Sequence, residues 1–303
     1  MVTLVISIAF SVAVSVFLKL ARRYCIQVDQ AIATNYVTAS VLCFWLFTPV
    51  PGAVRALATP AWVILGLLGV LLPTVFLIMA SAVRHAGIVL SDTAQRLSLI
   101  IPIAAAFLVF QEILSGRKAV GIALALCALV CLISRPRRLL PHASDTQPAA
   151  TETDPAHPRP GPAKCPTWLV LLGVWVGYGV IDILFKQMAR LGAEFTSSLL
   201  LSFVLATVLM LTWLQFARHT RWHLRSLASG LLLGALNFGN IYFYIRAHQT
   251  FPHNPTLVFA AMNIGVISIG LLVGAGLFRE RLTRVHAAGI VLALASIVAL
   301  FPG

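Results

Sequence analysis

Long apolar runs alternate with short polar connections along the whole chain, and most runs approach the roughly 20 residues that cross a bilayer as an α-helix. Apolar residues fill the runs on all sides instead of forming one stripe, as is typical of helices surrounded by lipid or protein. The pattern predicts an all-α integral membrane protein with ten transmembrane helices. They are expected at about 2–20, 31–49, 61–81, 88–110, 118–134, 167–187, 195–217, 225–246, 255–278 and 285–302.

A proline-rich segment interrupts this alternation in the middle of the chain. Residues 135–166 contain eight prolines and almost no large apolar side chain after Leu140. Such a segment cannot bury enough apolar surface to offset the entropy lost on ordering. It is therefore predicted to be a flexible linker between two five-helix units, residues 1–134 and 167–303.

The two units repeat each other at a fixed offset of 168 residues (278 minus 110). FQEILSGRKAVGIALALCALV (110–130) and FRERLTRVHAAGIVLALASIV (278–298) match at ten of 21 positions, and Phe17 matches Phe185 at the same offset. Because five is an odd number of helices, the second unit starts on the opposite side of the membrane, and the repeats are predicted to be inverted. Secondary transporters use inverted repeats to build a midplane site that opens to either side in turn.

The pattern F-x-E-x-L-[ST] followed by A-x-G-I occurs from Phe110 to Ile122 and again from Phe278 to Ile290. With Pro102 ten residues before the acid, this pattern resembles the EamA-like domain of the drug/metabolite transporter superfamily. The resemblance covers nearly the whole chain apart from the linker. It implies a ten-helix bundle of two inverted five-helix repeats that moves small metabolites or toxic compounds, located in the inner membrane of a bacterium.

The second unit departs from this pattern because no proline matches Pro102. The two units are therefore not expected to hinge alike. We expect glycines to supply the break in the ninth run, and the candidates are Gly265, Gly270, Gly274 and Gly276.

Composition agrees with a membrane protein, since 59% of the residues are apolar and only 10% are charged, against about 45–50% apolar in soluble domains. The net charge of +13 lies mostly at helix ends and in short loops, where Lys and Arg fix membrane orientation, so no nucleic-acid partner is expected. The charge count places both termini outside the cell, whereas the resemblance implies cytoplasmic termini, and the orientation stays open.

Enzyme motifs are missing from the sequence. It contains no G-x-S-x-G, Walker A or H-E-x-x-H pattern, so we predict no enzyme, no catalytic residue, no cofactor and no metal site. Two alternatives stay open: a membrane-embedded enzyme that holds lipid or isoprenoid phosphate with Arg96 and Lys186, and a non-transporting membrane subunit.

Arg96 is the first candidate binding residue, because it lies near the middle of the fourth run, where a charge is costly. Asp92 precedes it by one helical turn and could pair with it. Either the pair only neutralises itself, or Arg96 presents its donor fork to an anionic substrate.

Asp182 and Lys186 repeat the i, i+4 spacing in the sixth run. A buried acid beside a cation is what a proton-coupled exchanger requires, so Asp182, Asp92 and Lys186 are proton-coupling candidates. Lys186 lies in the last turns of its run, where extension of the amine to the lipid headgroups is the ordinary explanation.

Side-chain amides and a tyrosine complete the predicted binding site, since an unpaired amide in hydrocarbon is costly and tends to face inward. These candidates are Gln95, Asn237, Asn240, Asn263 and Tyr244. Gln95 and Asn263 match at the repeat offset and are expected to converge. Glu112 and Glu280 are instead expected to cap the following turn or tie loops down, away from the transport path.

Together these features predict a secondary transporter that moves a small organic metabolite or drug-like compound by alternating access, as an exporter or exchanger. Its expected partners are the small-molecule substrate and the lipid bilayer, and a monomer and a homodimer are equally compatible with the sequence.

Overall fold

The computed structural model describes residues 2–21, 27–47, 59–133, 166–191, 195–217, 222–278 and 283–301. Within these ranges the fold is all-helical, so the prediction of an all-α protein is confirmed. The α-helices are α1 (Val2–Ala21), α2 (Val28–Phe47), α3 (Thr59–His85), α4 (Gly87–Leu97), α5 (Ile100–Leu108), α6 (Gly116–Ile133), α7 (Thr167–Ala189), α8 (Phe195–Thr212), α9 (Leu224–Thr250), α10 (Pro255–Phe278) and α11 (Arg284–Leu300).

Seven helices of the described ranges are long and apolar enough to cross a membrane. They comprise α2, α6, α7, α9, α10, most of α3, and α8 with the π-helical turn that follows it. Apolar stretches of α1 and α11 are shorter. Large apolar side chains are exposed on the outer faces of the helices, among them Phe44, Leu108 and Val298, which is the surface that lipid requires. The chain therefore has the character of a multi-pass membrane protein.

The fourth predicted run is two helices, because α4 ends at Leu97 and α5 begins at Ile100. Pro102 explains the break, since a proline has no N–H to donate to the carbonyl four residues earlier and its ring clashes with that carbonyl. The carbonyl in question, that of Ser98, instead accepts from the Ile101 amide at 3.0 Å. The expectation that glycines break the ninth run is wrong, because α10 is continuous from Pro255 to Phe278.

Helices of the two predicted units interleave in two bundles. The first bundle contains α1, α2, α9 and α10, in which α9 packs on both α1 and α2 and α10 packs on α1. The second bundle contains α3, α4, α5, α7 and α8, in which α3 packs on both α7 and α8, and α7 also packs on α4 and α5. The bundles meet where α2 crosses α8, where α7 faces α9, and where α5 faces α10.

The α6 and α11 helices form a third, antiparallel pair. A Cβ built on Gly121, near the start of α6, would lie 2.7 Å from the Leu300 side chain at the end of α11. A Cβ on Gly289, near the start of α11, would lie 2.9 Å from the Leu132 side chain at the end of α6. Each helix thus presents a glycine to a leucine of the other, which permits the close approach of the two backbones.

The helix directions define two ends of the protein. The Glu112 end is the one at which α6 and α10 begin and α7 ends. The linker end is the one at which α6 ends and α7 begins. Residues 134–165 of the predicted linker and Glu280 lie outside the described residues.

Candidate functional site

A carboxyl group lies between α7, α9 and α10, where the two bundles meet. Asp182, two turns before the end of α7, accepts a hydrogen bond from the Tyr244 hydroxyl of α9 at 3.0 Å. The side-chain amide of Asn263, on α10, interacts with this carboxyl group and donates to the Phe259 carbonyl at 3.2 Å. Asp182 as a residue is half-buried and lies within a candidate membrane span. Three of the predicted site residues are therefore brought together.

The predicted pair on α4 exists and lies near this carboxyl group. Arg96 Nε is 3.5 Å from Asp92 Oδ1, as the i, i+4 spacing predicts. Tyr178, one turn before Asp182 on α7, interacts electrostatically with Arg96, Asp92 and Asp182. Tyr178 therefore lies within electrostatic range of both the α4 pair and the Asp182 carboxyl group.

Lys186 does not extend to the lipid headgroups, so the sequence-based explanation of this residue is wrong. Only 1% of Lys186 is exposed, and its Nζ donates to the carbonyl of Pro252 at 2.8 Å. The turn between α9 and α10 covers the end of α7 and supplies this acceptor. The amine also lies 6.0 Å from the centre of the Phe110 ring.

His248 is a buried ionisable residue that the sequence did not single out. Only 1% of it is exposed, and neither ring nitrogen has a hydrogen-bond partner among the described residues. Its ring packs edge-on against Tyr244, with centroids 4.9 Å apart, and against Phe259 at 4.7 Å. Its position four residues after Tyr244, on the same face of α9, was the sequence signal that could have revealed it.

The other predicted amides occupy different surroundings. Asn240 accepts a hydrogen bond from Ser7 Oγ at 3.1 Å and thereby links α9 to α1. Asn237 is buried, and its amide nitrogen has no hydrogen-bond partner among the described residues. Gln95 is half-buried on α4. Asn240 therefore serves as a contact between helices of the first bundle, and Asn263 alone among these amides contacts Asp182.

The solvent-exposed fraction of the polar residues near Asp182 falls from the linker end toward the Glu112 end. The side chain of Asp92, midway along α4, is 54% exposed, and that of Arg96 one turn deeper is 14% exposed. Asp182 is half-buried, and Lys186 and His248, one turn deeper again, are each 1% exposed. The order of burial follows the direction of α4, α7 and α9 from the linker end toward the Glu112 end.

Comparison with known proteins identifies a close relative of unknown function and a shared fold. No family model matches the chain. The chain is 45% identical over 305 residues to an uncharacterized protein of Haemophilus influenzae, across 98% of this chain and 97% of that protein. It is also similar to a protein of known crystal structure, with a TM-score of 0.69 over 98% of this chain and 94% of the other. The two are 12% identical in sequence, and the likeness shows the fold alone.

Proposed function

We propose that this chain, which belongs to the same family as the uncharacterized Haemophilus influenzae protein and shares nearly its whole length with it, is a secondary transporter. It moves a small organic metabolite or drug-like compound by alternating access, as an exporter or exchanger in the inner membrane. The resemblance of its repeated motif to the EamA-like domain of the drug/metabolite transporter superfamily agrees with this role.

The observation that carries the proposal is the half-buried carboxyl group of Asp182 at the meeting of the two bundles. An ionisable group inside a membrane costs about 2.5–3.5 kcal/mol on insertion scales, and such groups face functional cavities or partners. Asp182 has two uncharged polar groups beside it, the Tyr244 hydroxyl, which donates to it, and the Asn263 side-chain amide. These partners suit a carboxyl group that gains and loses a proton or a ligand.

Helix packing supports the inverted repeat on which alternating access depends. In the proposed repeat α1 is equivalent to α7, α2 to α8, and α3 to α9. The contact of α1 with α9 then corresponds to that of α7 with α3, and the contact of α2 with α9 corresponds to that of α8 with α3. Gly121 and Leu132 are related to Gly289 and Leu300 by the 168-residue offset (289 minus 121, and 300 minus 132). The antiparallel directions of α6 and α11 support a proposed arrangement in which the two units are inverted relative to each other.

The moving units are the two interleaved bundles rather than the two sequence halves. Each bundle takes helices from both units, and the repeat exchanges the bundles. Asp182 belongs to the second bundle, and its partners Tyr244 and Asn263 belong to the first. A rocking motion of one bundle against the other would therefore open and close the site around this carboxyl group.

The candidate residues take different roles in this proposal. Asp182 is the proton-coupling group, because Asp92 is largely exposed and paired with Arg96 while Lys186 is held by the Pro252 carbonyl. Arg96 is the anchor for an anionic group of the substrate, because its planar donor fork suits carboxylate or phosphate.

The proposal is tested by placing one cysteine at Asn263 in a cysteine-free variant and labelling it with an impermeant maleimide from each side of sealed vesicles. Alternating access predicts labelling from both sides, faster from the linker end. A cysteine at Val298, whose side chain faces outward on α11, serves as the lipid-facing control. Labelling of Asn263→Cys from one side only, or from neither, would contradict the proposal.

The substrate and the coupling group are tested together by comparing the metabolites of cells that overproduce the wild-type protein, the Asp182→Asn variant, or neither. A compound whose distribution across the membrane changes with the wild-type protein is the candidate substrate. Asp182→Asn is expected to abolish its accumulation against a gradient, because the amide cannot carry a proton. Unchanged accumulation by this variant would remove Asp182 from the coupling role.

A further inference from the structure

A buried carboxylate joins the two bundles at the Glu112 end. One Glu112 oxygen accepts hydrogen bonds from the Thr256 amide at 3.0 Å and the Thr256 hydroxyl at 2.6 Å. The other oxygen lies 2.8 Å from Lys118 Nζ. Only 1% of the Glu112 side chain is exposed. The transport role proposed above does not use this carboxylate.

The position of Glu112 suits it to hold the start of α10. Pro255 is the first residue of α10 and has no N–H, so the amide of Thr256 is the first donor at this helix end. Amides at the start of a helix have no acceptor within the helix, and a carboxylate placed there satisfies them and complements the helix dipole. Glu112 follows α5, which belongs to the second bundle, whereas α10 belongs to the first bundle. Glu112 therefore caps a helix of the bundle to which it does not itself belong.

Two further contacts cross between the bundles in the same layer. Lys186, at the end of α7, donates to the Pro252 carbonyl in the turn before α10. The Gln249 amide near the end of α9 donates to the Ala189 carbonyl of α7 at 3.4 Å. The end of α7 is thus hydrogen-bonded to the end of α9 and to the turn that follows it, close to the contact of Glu112 with Thr256.

The backbone holds Glu112 in place through one unusual residue. Gln111 has φ of 53°, a left-handed conformation that costs an ordinary residue about 1–2 kcal/mol. The amide of Glu112 donates to the Ala106 carbonyl of α5 at 2.9 Å. The left-handed residue and this hydrogen bond turn the chain back over the end of α5, so the carboxylate is presented at a fixed position.

We propose that the contact of Glu112 with Thr256 and Lys118 is the latch that closes the transport site at the Glu112 end. The proposal rests on the transport function proposed above, because a latch requires a site that opens to both sides. When the bundles separate at this end, Thr256 leaves the carboxylate, and water replaces it. The decrease in accessibility from Asp92 to Lys186 and His248 fits a protein that is open at the linker end and latched at the Glu112 end.

The latch is tested with the Asn263→Cys reporter by measuring its labelling rate from the Glu112 end. Glu112→Gln removes the charge of the latch and is expected to raise this rate about fivefold, the population shift that corresponds to the loss of one helix cap. Thr256→Val removes one donor and is expected to raise it less. Glu112→Asp keeps the carboxylate and is expected to remain nearer to wild type than Glu112→Gln.

Arg117→Gln is the matched control, because this substitution also removes a charge, at the residue next to Lys118. The Arg117 side chain donates to the Val298 carbonyl of α11 and does not contact Glu112 or Thr256 in the described hydrogen bonds. It is expected to leave the labelling rate unchanged. Elution of each variant as one sharp species in detergent shows that it is folded, and Thr256→Val provides an independent variant if Glu112→Gln is not.

The outcomes separate the latch from the transport function. Labelling from both sides in the unsubstituted reporter, with a faster rate from the Glu112 end in Glu112→Gln and Thr256→Val, supports both. Labelling from both sides with no change in these variants overturns the latch and leaves alternating access intact. Labelling from one side only in every variant overturns alternating access, and the latch with it.

Discussion

The break between α4 and α5 and the continuous helix α10 occupy equivalent places in the two units, yet they differ in structure and charge. The first carries Pro102 and the ion pair of Asp92 with Arg96. At the 168-residue offset the second carries Gly270 (270 minus 102) and Ile264 (264 minus 96). Segments matched at this offset thus differ in whether the helix is broken, and the local residues decide it. In the proposed transporter, the two sides of the site would therefore be chemically unequal.

The largest expected effect comes from giving α10 the proline of α5. Gly270→Pro removes an internal hydrogen bond of a continuous helix and should lower the free energy of unfolding by about 3 kcal/mol. The measurement is the midpoint of unfolding by dodecyl sulfate in mixed micelles. Gly270→Ala is the control, because a Cβ at Gly270 meets nothing within 4 Å, and it should instead stabilise the protein by about 0.5–1 kcal/mol.

Tolerance of Gly270→Pro with no loss of stability would show that α10 can break as α4 and α5 do. The difference between the two regions would then not depend on the proline, and the physical explanation of the break would fail.

A smaller effect is expected at the end of α5. Gln111→Gly should stabilise the protein by about 1 kcal/mol, because glycine adopts positive φ without the steric cost that glutamine bears. The same unfolding titration measures it, and Gln111→Ala, which keeps the Cβ, is the control. Equal stability of the glycine and alanine variants would mean that this turn is not strained.

The smallest effect is expected from the ion pair that α4 has and α10 lacks. A double-mutant cycle of Asp92→Asn and Arg96→Gln should give a coupling energy of about 0.5 kcal/mol, since Asp92 is 54% exposed and exposed pairs contribute little. Substrate binding should nevertheless fall sharply in Arg96→Gln alone. A coupling of several kcal/mol with unchanged binding would make the pair structural only.

The apolar runs predicted most of the helices, because lipid imposes length and composition on each span separately. The sequence also predicted the pair of Arg96 with Asp92, since its spacing lies within one helix. The contact of Asp182 with Tyr244 joins residues 62 positions apart and depends on how α7 packs on α9, which no local pattern encodes.

Lys186 was misjudged for a related reason. Its place near the end of α7 suggested contact with the headgroups, but the turn that contains Pro252 folds over this end and buries the amine. His248, near the end of α9, is buried against Tyr244 and Phe259. Burial at helix ends follows from connections between helices, and the sequence of one helix does not contain that information.

The most direct test of the central claim is a pair of spin-label distances, measured by pulsed electron resonance on the cysteine-free protein in lipid nanodiscs. One pair joins Ile113 to His253 across the Glu112 end, and the other joins Trp168 to Trp222 across the linker end; all four residues are exposed. Alternating access predicts two populations for each pair, and Glu112→Gln should lengthen the first distance while it shortens the second. A single unchanging distance at each end, or both ends widening together, would contradict the account.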